Sequence, residues 1–175
     1  NLMDKKKALY KLKGLPPIFY LNLDDQPERK EYIENQFEYW GIENYTRISA
    51  YDGRDGRDLG DILKGRYPDS MSSGEVGCTT SHLKAMVEFL KTDSPCALMM
   101  EDDCDISTVT HWPFTWKDFY AKVPYDYDVI QLAIINPASV YLKMHKRFVN
   151  DFSTACYMIT RRHAQKLIDL HVRGD

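Results

Sequence analysis

The sequence predicts an α/β sandwich, Rossmann-like, with a mostly parallel central sheet between layers of helices. Two observations carry this expectation. Five short apolar runs, at 18–23, 46–50, 96–100, 128–135 and 154–160, have the length and composition of strands. Segments with helix periodicity or capping signals separate most of them, and strands alternating with helices give a parallel sheet covered on both faces.

The length allows one such domain. The chain has 175 residues, 43% hydrophobic and 28% charged, the profile of a single compact unit. A folded chain of this size buries roughly 70% of the surface its unfolded form exposes, so the core needs no staples. Net charge is −3, from 23 basic and 26 acidic residues, with no recurring basic stripe, and this argues against nucleic acid as a partner. No apolar run approaches the ~18 residues that span a bilayer, and Lys5-Lys6-Lys7 is followed by mixed sequence, not an apolar signal core. A cytoplasmic location is the expectation. Because the first residue is Asn1 and not Met, the chain also reads as a piece of a longer protein, in which case the lumen of the endoplasmic reticulum is the alternative.

Residues 1–16 read as a polar, lysine-rich lead-in, and 17–175 as the single domain. Ile18-Phe19-Tyr20-Leu21-Asn22-Leu23 is a buried first strand. Asp25-Gln26-Pro27-Glu28 follows it as a carboxylate cap with Pro in the opening turn, and helix formers continue to Gly41. Thr46–Ala50 is a short second strand. From Tyr51 to Gly60 the chain holds three Asp and three Gly, a surface loop. Ser72-Ser73-Gly74-Glu75 is a capping box, beyond which Leu83, Met86, Val87 and Leu90 take the i, i+3, i+4, i+7 spacing of a buried helical face.

Cys96–Met100 is a third strand that stops at Glu101-Asp102-Asp103-Cys104-Asp105. Trp116–Val123 suggests a helix, Asp128–Ile135 a strand buried on both faces, and Thr154–Thr160 a last strand leading into a helix with Ala164, Leu167, Ile168 and His171 on one side. The four cysteines, Cys78, Cys96, Cys104 and Cys156, form no CxxC pair and lie beside apolar residues, so buried free thiols are expected.

The acidic segment 101–105 is the strongest candidate for chemistry, because ligands of open α/β sheets collect at the carboxyl ends of strands. Four carboxylates in five residues repel one another unless they are solvated or neutralised by a cation. A solvated loop is the plain reading. Delivery of the cluster by an apolar strand favours a metal site, with oxygen donors suited to Mg²⁺ or Mn²⁺ and open positions for a diphosphate. On extended backbone Glu101, Asp103 and Asp105 share one face and Asp102 points the other way.

Five ordered blocks then resemble glycosyltransferase family 25. They are Ile18–Asp24 with Pro27 and Arg29, Arg47-Ile48-Ser49-Ala50-Tyr51-Asp52-Gly53, Gly74-Glu75-Val76-Gly77-Cys78-Thr79-Thr80-Ser81-His82-Leu83, Leu98–Asp103, and Thr154–Thr160. The family includes lipooligosaccharide galactosyltransferases and collagen hydroxylysine galactosyltransferases. The resemblance implies a GT-A fold, a UDP-sugar donor and a divalent cation, Mn²⁺ or Mg²⁺, with Glu-Asp-Asp serving as the DXD motif. It implies that Glu101 and Asp102 lie at the nucleotide sugar and that Asp103 holds the metal. Asp103-Cys104-Asp105 is itself a literal DXD and keeps Asp105 as a second candidate ligand; the register at 101–103 is preferred because the family motif follows its strand immediately.

Asn22, Asp24 and Arg29 are candidates for the nucleotide side, against helix capping or a surface ion pair. Asp52 and Gly53 are candidates on the family's pattern, where a turn alone explains the glycine. Ser81 and His82 belong to a family block on a helix, His82 against a structural role. Gln131, polar within an apolar strand, either reads the donor sugar or satisfies backbone. Thr154 and Tyr157 are expected on the acceptor side, with Cys156 standing where the family usually has Gly. Asp151 is the candidate general base, and the chain ends at Asp175 before the acidic segment with which the family pattern usually continues.

The expected function is transfer of a hexose, galactose favoured, from UDP-galactose, UDP-glucose or UDP-GlcNAc to a hydroxyl of a glycan or a hydroxylysine-type protein acceptor. The competing reading is a non-catalytic module of the same fold that binds a nucleotide sugar or glycan.

Overall fold

The computed structural model describes residues 2–55, 59–64, 72–132 and 156–174. A five-stranded open sheet forms its centre. The strands are β1 (Ile18–Asn22), β2 (Tyr45–Ser49), β3 (Cys96–Glu101), β4 (Val129–Gln131) and β5 (Cys156–Thr160), in the order β2-β1-β3-β5-β4. β1 pairs in parallel with β2 and β3, whereas β5 is antiparallel to both β3 and β4. Four strands therefore run one way and β5 runs the other. The sheet is mostly parallel, as expected, and apolar content alone does not distinguish the reversed strand from its neighbours.

Alternation along the strands sends successive side chains to opposite faces and so builds two cores. Phe19, Leu21, Ala97, Met99 and Ile159 face α3 (Ser73–Leu90) and α5 (Arg161–His171), meeting Leu83, Met86, Phe89 and Ala164. Ile18, Tyr20, Leu98, Met100 and Met158 face α2 (Pro27–Tyr39) and α4 (Trp116–Lys122), meeting Ile33, Phe37, Trp116 and Phe119. Helices thus cover both faces. A third, smaller cluster joins α1 (Leu2–Lys11) to the rest: Ala8 and Leu12 are buried against Trp40 and Val109. The polar lead-in hides this helix because only one narrow stripe of it is apolar.

The caps explain where the helices begin. Ser72 caps α3 by accepting from the Glu75 amide, and the Glu75 carboxylate returns the bond to the Ser72 amide, as the sequence predicts. α2 differs from expectation: its N-cap is Gln26 with no side-chain bond, and Pro27 supplies the preset first turn. α2 is capped at Trp40 and followed by Gly41, whose φ of +68° suits a residue without Cβ. On α5, Ala164 is buried but His171 is exposed. Of the four free cysteines, Cys96 and Cys156 are buried and Cys78 and Cys104 half-buried. The strand predicted over 128–135 is described only to 132, and that over 154–160 only from 156.

The acidic loop after Tyr51 is more than a surface connection. Its turn, Gly53–Asp55, lies on the start of α3 so closely that a Cβ on Gly53 would stand 2.2 Å from the Ser73 carbonyl oxygen and 2.6 Å from Gly74 Cα. A Cβ on Gly77 would meet the Tyr51 oxygen at 3.1 Å, so glycine backbone lies against backbone on both sides. Gly53→Ala is expected to cost about 1–3 kcal/mol by overpacking, read as a lower midpoint in urea unfolding with an unchanged slope.

Candidate functional site

The carboxyl ends of β1, β2 and β3 bring Asn22, Ser49 and Glu101 to one edge of the sheet. Because β5 is reversed, its first residues, Cys156 and Tyr157, arrive at the same edge, with Gln131 of β4 paired to Tyr157. The edge is divided by the faces of the sheet into two groups of polar side chains.

The first group lies beside α2. Asn22 is buried, and its amide donates to Asp102 Oδ2 at 2.8 Å and to the Gln26 carbonyl at 3.0 Å. Arg29 Nη2 lies 2.9 Å from Asp102 Oδ1 and 3.5 Å from Asp103 Oδ2. Asp102 is almost fully buried, whereas the Asp103 side chain is 58% exposed. Arg47 Nε donates to Asn22 Oδ1 at 3.0 Å, and its Nη2 donates to Asp24 Oδ1 at 2.6 Å, where Ser49 Oγ also donates. These bonds from Arg47 and Ser49 hold the Asp24 carboxyl below its usual range.

The expected alternation stops at Glu101. The chain turns over Asp102 and Asp103, closed by the Cys104 amide donating to the Glu101 carbonyl at 3.3 Å. Asp102 still points away from Glu101, but the turn carries Asp103 toward Arg29 and out of the Glu101 face. Asp105 caps the short 3₁₀ helix Ile106–His111, accepting from the Ser107 amide and hydroxyl. Gln36 of α2 clamps the same segment, donating to the Cys104 carbonyl and accepting from the Ile106 amide. Gln36 and Arg47 hold this edge together; Arg47 opens the second family block, whereas Gln36 lies in no motif and a polar residue on the buried-side register of α2 is its signal.

The second group lies beside α3. Glu101 Oε1 is 3.8 Å from His82 Nε2 and 3.9 Å from Cys78 Sγ, and His82 Nδ1 bonds Tyr157 Oη at 2.7 Å. Burial disfavours the imidazolium, but the Cys78 thiol and the Glu101 carboxylate outweigh it, so the His82 pKa is raised. Burial also pushes the Tyr157 hydroxyl well up. The i, i+4 spacing of Cys78 and His82 puts both on one face of α3.

Two further candidates are already engaged in the fold. Ser81 Oγ accepts from the Tyr51 amide at 2.8 Å and donates to the Gly77 carbonyl at 2.7 Å, pinning the loop to α3. Asp52 accepts from the Arg54 amide and guanidinium, which pulls its pKa down to about 2. Gln131 is half-buried at the end of β4. Asp151 and Thr154 lie outside the described residues.

An open, mostly parallel sheet with helices on both faces and a carboxylate cluster at the ends of its central strands is consistent with a Rossmann-like fold of GT-A type. The sequence comparisons agree. The model of glycosyltransferase family 25, described as an LPS biosynthesis protein family, matches residues 15–173, and the chain belongs to this family. It is similar to a "Glycosyltransferase 25 family member" of Drosophila pseudoobscura pseudoobscura, 31% identical over 99 residues, 51% of this chain and 16% of that protein. A protein of the same name from Drosophila melanogaster is 32% identical over 111 residues, 58% of this chain and 18% of that one. The matched region is thus under a fifth of the length of these relatives.

Proposed function

We propose that this domain transfers a hexose, galactose in the first instance, from a UDP-sugar to an acceptor hydroxyl on a glycan or a hydroxylysine-type protein, with Mn²⁺ or Mg²⁺ bound. The observation that supports the reading best is the Asp102–Asp103 turn. Asp102 is locked by Asn22 and Arg29, and that anchoring presents the neighbouring Asp103 carboxylate to solvent at the edge where β1 and β3 end.

The donor set fits a hard cation: Asp103 offers exposed carboxylate oxygen and leaves room for the oxygens of a diphosphate. Asp105 is less free, since one of its oxygens already caps the 3₁₀ helix. When bound, the cation offsets the charge that develops on a departing UDP without a proton donor. Arg29, 49% exposed beside Asp103, adds a second positive charge on the same side. Asn22, Asp24 and Arg47 form a rigid floor under the nucleotide. Tyr157 and Thr154 border the acceptor, and Asp151 takes the proton of the acceptor hydroxyl.

Titrating UDP into the protein with and without Mn²⁺ tests this reading. Binding that appears or tightens at least tenfold with Mn²⁺ is expected; absent or metal-independent binding contradicts it.

A further inference from the structure

We propose that Cys78, His82 and Glu101 form a second metal site, selective for a borderline-soft divalent ion such as Zn²⁺ and separate from the Asp103 carboxylate. The three ligand atoms, a sulfur, an imidazole nitrogen and a carboxylate oxygen, all lie within 4.8 Å of one another. A tetrahedral Zn²⁺ with ordinary bond lengths holds such atoms roughly 3.4–3.6 Å apart. The present separations of 3.8 and 3.9 Å from Glu101 Oε1 close to that spacing with small side-chain shifts.

The imidazole is already aimed. His82 is 6% exposed, and its Nε2 is buried with no hydrogen-bond partner among the described residues. A buried ring nitrogen left without a partner costs free energy unless something completes it. The other nitrogen, Nδ1, is held by Tyr157 Oη, the arrangement that orients a metal-bound histidine and leaves Nε2 free to coordinate. Access is available as well, because Cys78 is half-buried and the Glu101 side chain 31% exposed. Three protein ligands with one side open leave a fourth position for water or a ligand atom, the pattern of an open zinc site.

The donor chemistry separates this site from the proposed Asp103 site. Thiolate and imidazole favour Zn²⁺ and Co²⁺ over Mg²⁺ and Mn²⁺, which prefer oxygen alone. Geometry separates them too: Glu101 faces α3, while Asp102 and Asp103 are reached from α2 by Arg29.

The test uses the whole chain, stripped with chelator, and Co²⁺ as the probe. One equivalent of Co²⁺ is expected to produce a thiolate-to-cobalt charge-transfer band in the near ultraviolet, bleached by one equivalent of Zn²⁺ and unaffected by excess Mg²⁺. Cys78→Ser should remove the band, His82→Ala should weaken Co²⁺ binding at least tenfold, and Tyr157→Phe should weaken it about 10- to 100-fold by freeing the ring. Cys104→Ser should change nothing. Circular dichroism of each variant establishes that it is folded, and Tyr157→Phe keeps the ring and its packing. Absence of the band in the parent chain overturns the site, as does its survival in folded Cys78→Ser or its loss in Cys104→Ser.

Discussion

Asp103→Ala is expected to remove the Mn²⁺-dependent part of UDP binding while leaving stability within about 0.5 kcal/mol of the parent, as for other exposed surface positions. The two halves of this expectation come from the same geometry. The Asp103 carboxylate is mostly exposed and, among the described residues, pairs only with the half-exposed Arg29 at 3.5 Å, so the fold loses little when it goes. In the proposed site it is also the carboxylate best placed to hold the cation, so binding loses nearly everything that Mn²⁺ adds. Calorimetric titration of UDP with and without Mn²⁺, beside a urea melt of the same variant, measures both halves. A folded variant with parental Mn²⁺-dependent binding contradicts the assignment of Asp103.

One residue earlier, the expectation reverses. Asp102→Ala should cost about 2–4 kcal/mol, because Asp102 is buried and accepts from both the Asn22 amide and Arg29. Bonds to a charged group contribute most of this, and Arg29 contributes the smaller share because solvent screens it. For a domain of this size that is a fall in melting temperature of about 5–15 °C. Asp102→Asn keeps an oxygen for the Asn22 amide and should cost about 1 kcal/mol. Thermal unfolding followed by circular dichroism ranks the three proteins, and equal losses for Asn and Ala would mean that the hydrogen bond to Asn22 contributes nothing. Asp102 thus serves the site by holding the turn, and Asp103 by facing outward from it.

These neighbours also show how far the sequence carries. The capping box at Ser72 and the apolar run at Cys96–Met100 are strong local signals, and both elements form as read. The opposite facing of Asp102 and Glu101 follows from strand alternation and holds. The placement of Asp103 with Glu101 does not, because alternation ends where the chain turns, and a two-residue turn has no periodicity to read. The glycine at 53 is visible in the sequence, but its reason, backbone pressed against the start of α3, is a tertiary contact. α1 is hidden because Ala8 and Leu12 make a stripe too narrow to stand out among lysines. The direction of β5 is equally hidden: a five-residue apolar strand reads the same either way, yet its reversal is what brings Tyr157 to His82. Cys78 and His82 share one block and one face of α3, whereas Glu101 belongs to another block, and only the fold brings Glu101 to that pair.

Transfer from a nucleotide sugar is tested by the release of UDP from UDP-sugars in the presence of Mn²⁺. UDP release from UDP-galactose is expected above the protein-free rate, faster than from UDP-glucose or UDP-GlcNAc, dependent on Mn²⁺ and lost in Asp103→Ala. No release above background from any of the three donors, by folded protein with Mn²⁺ present, would contradict it and favour a binding module of the same fold.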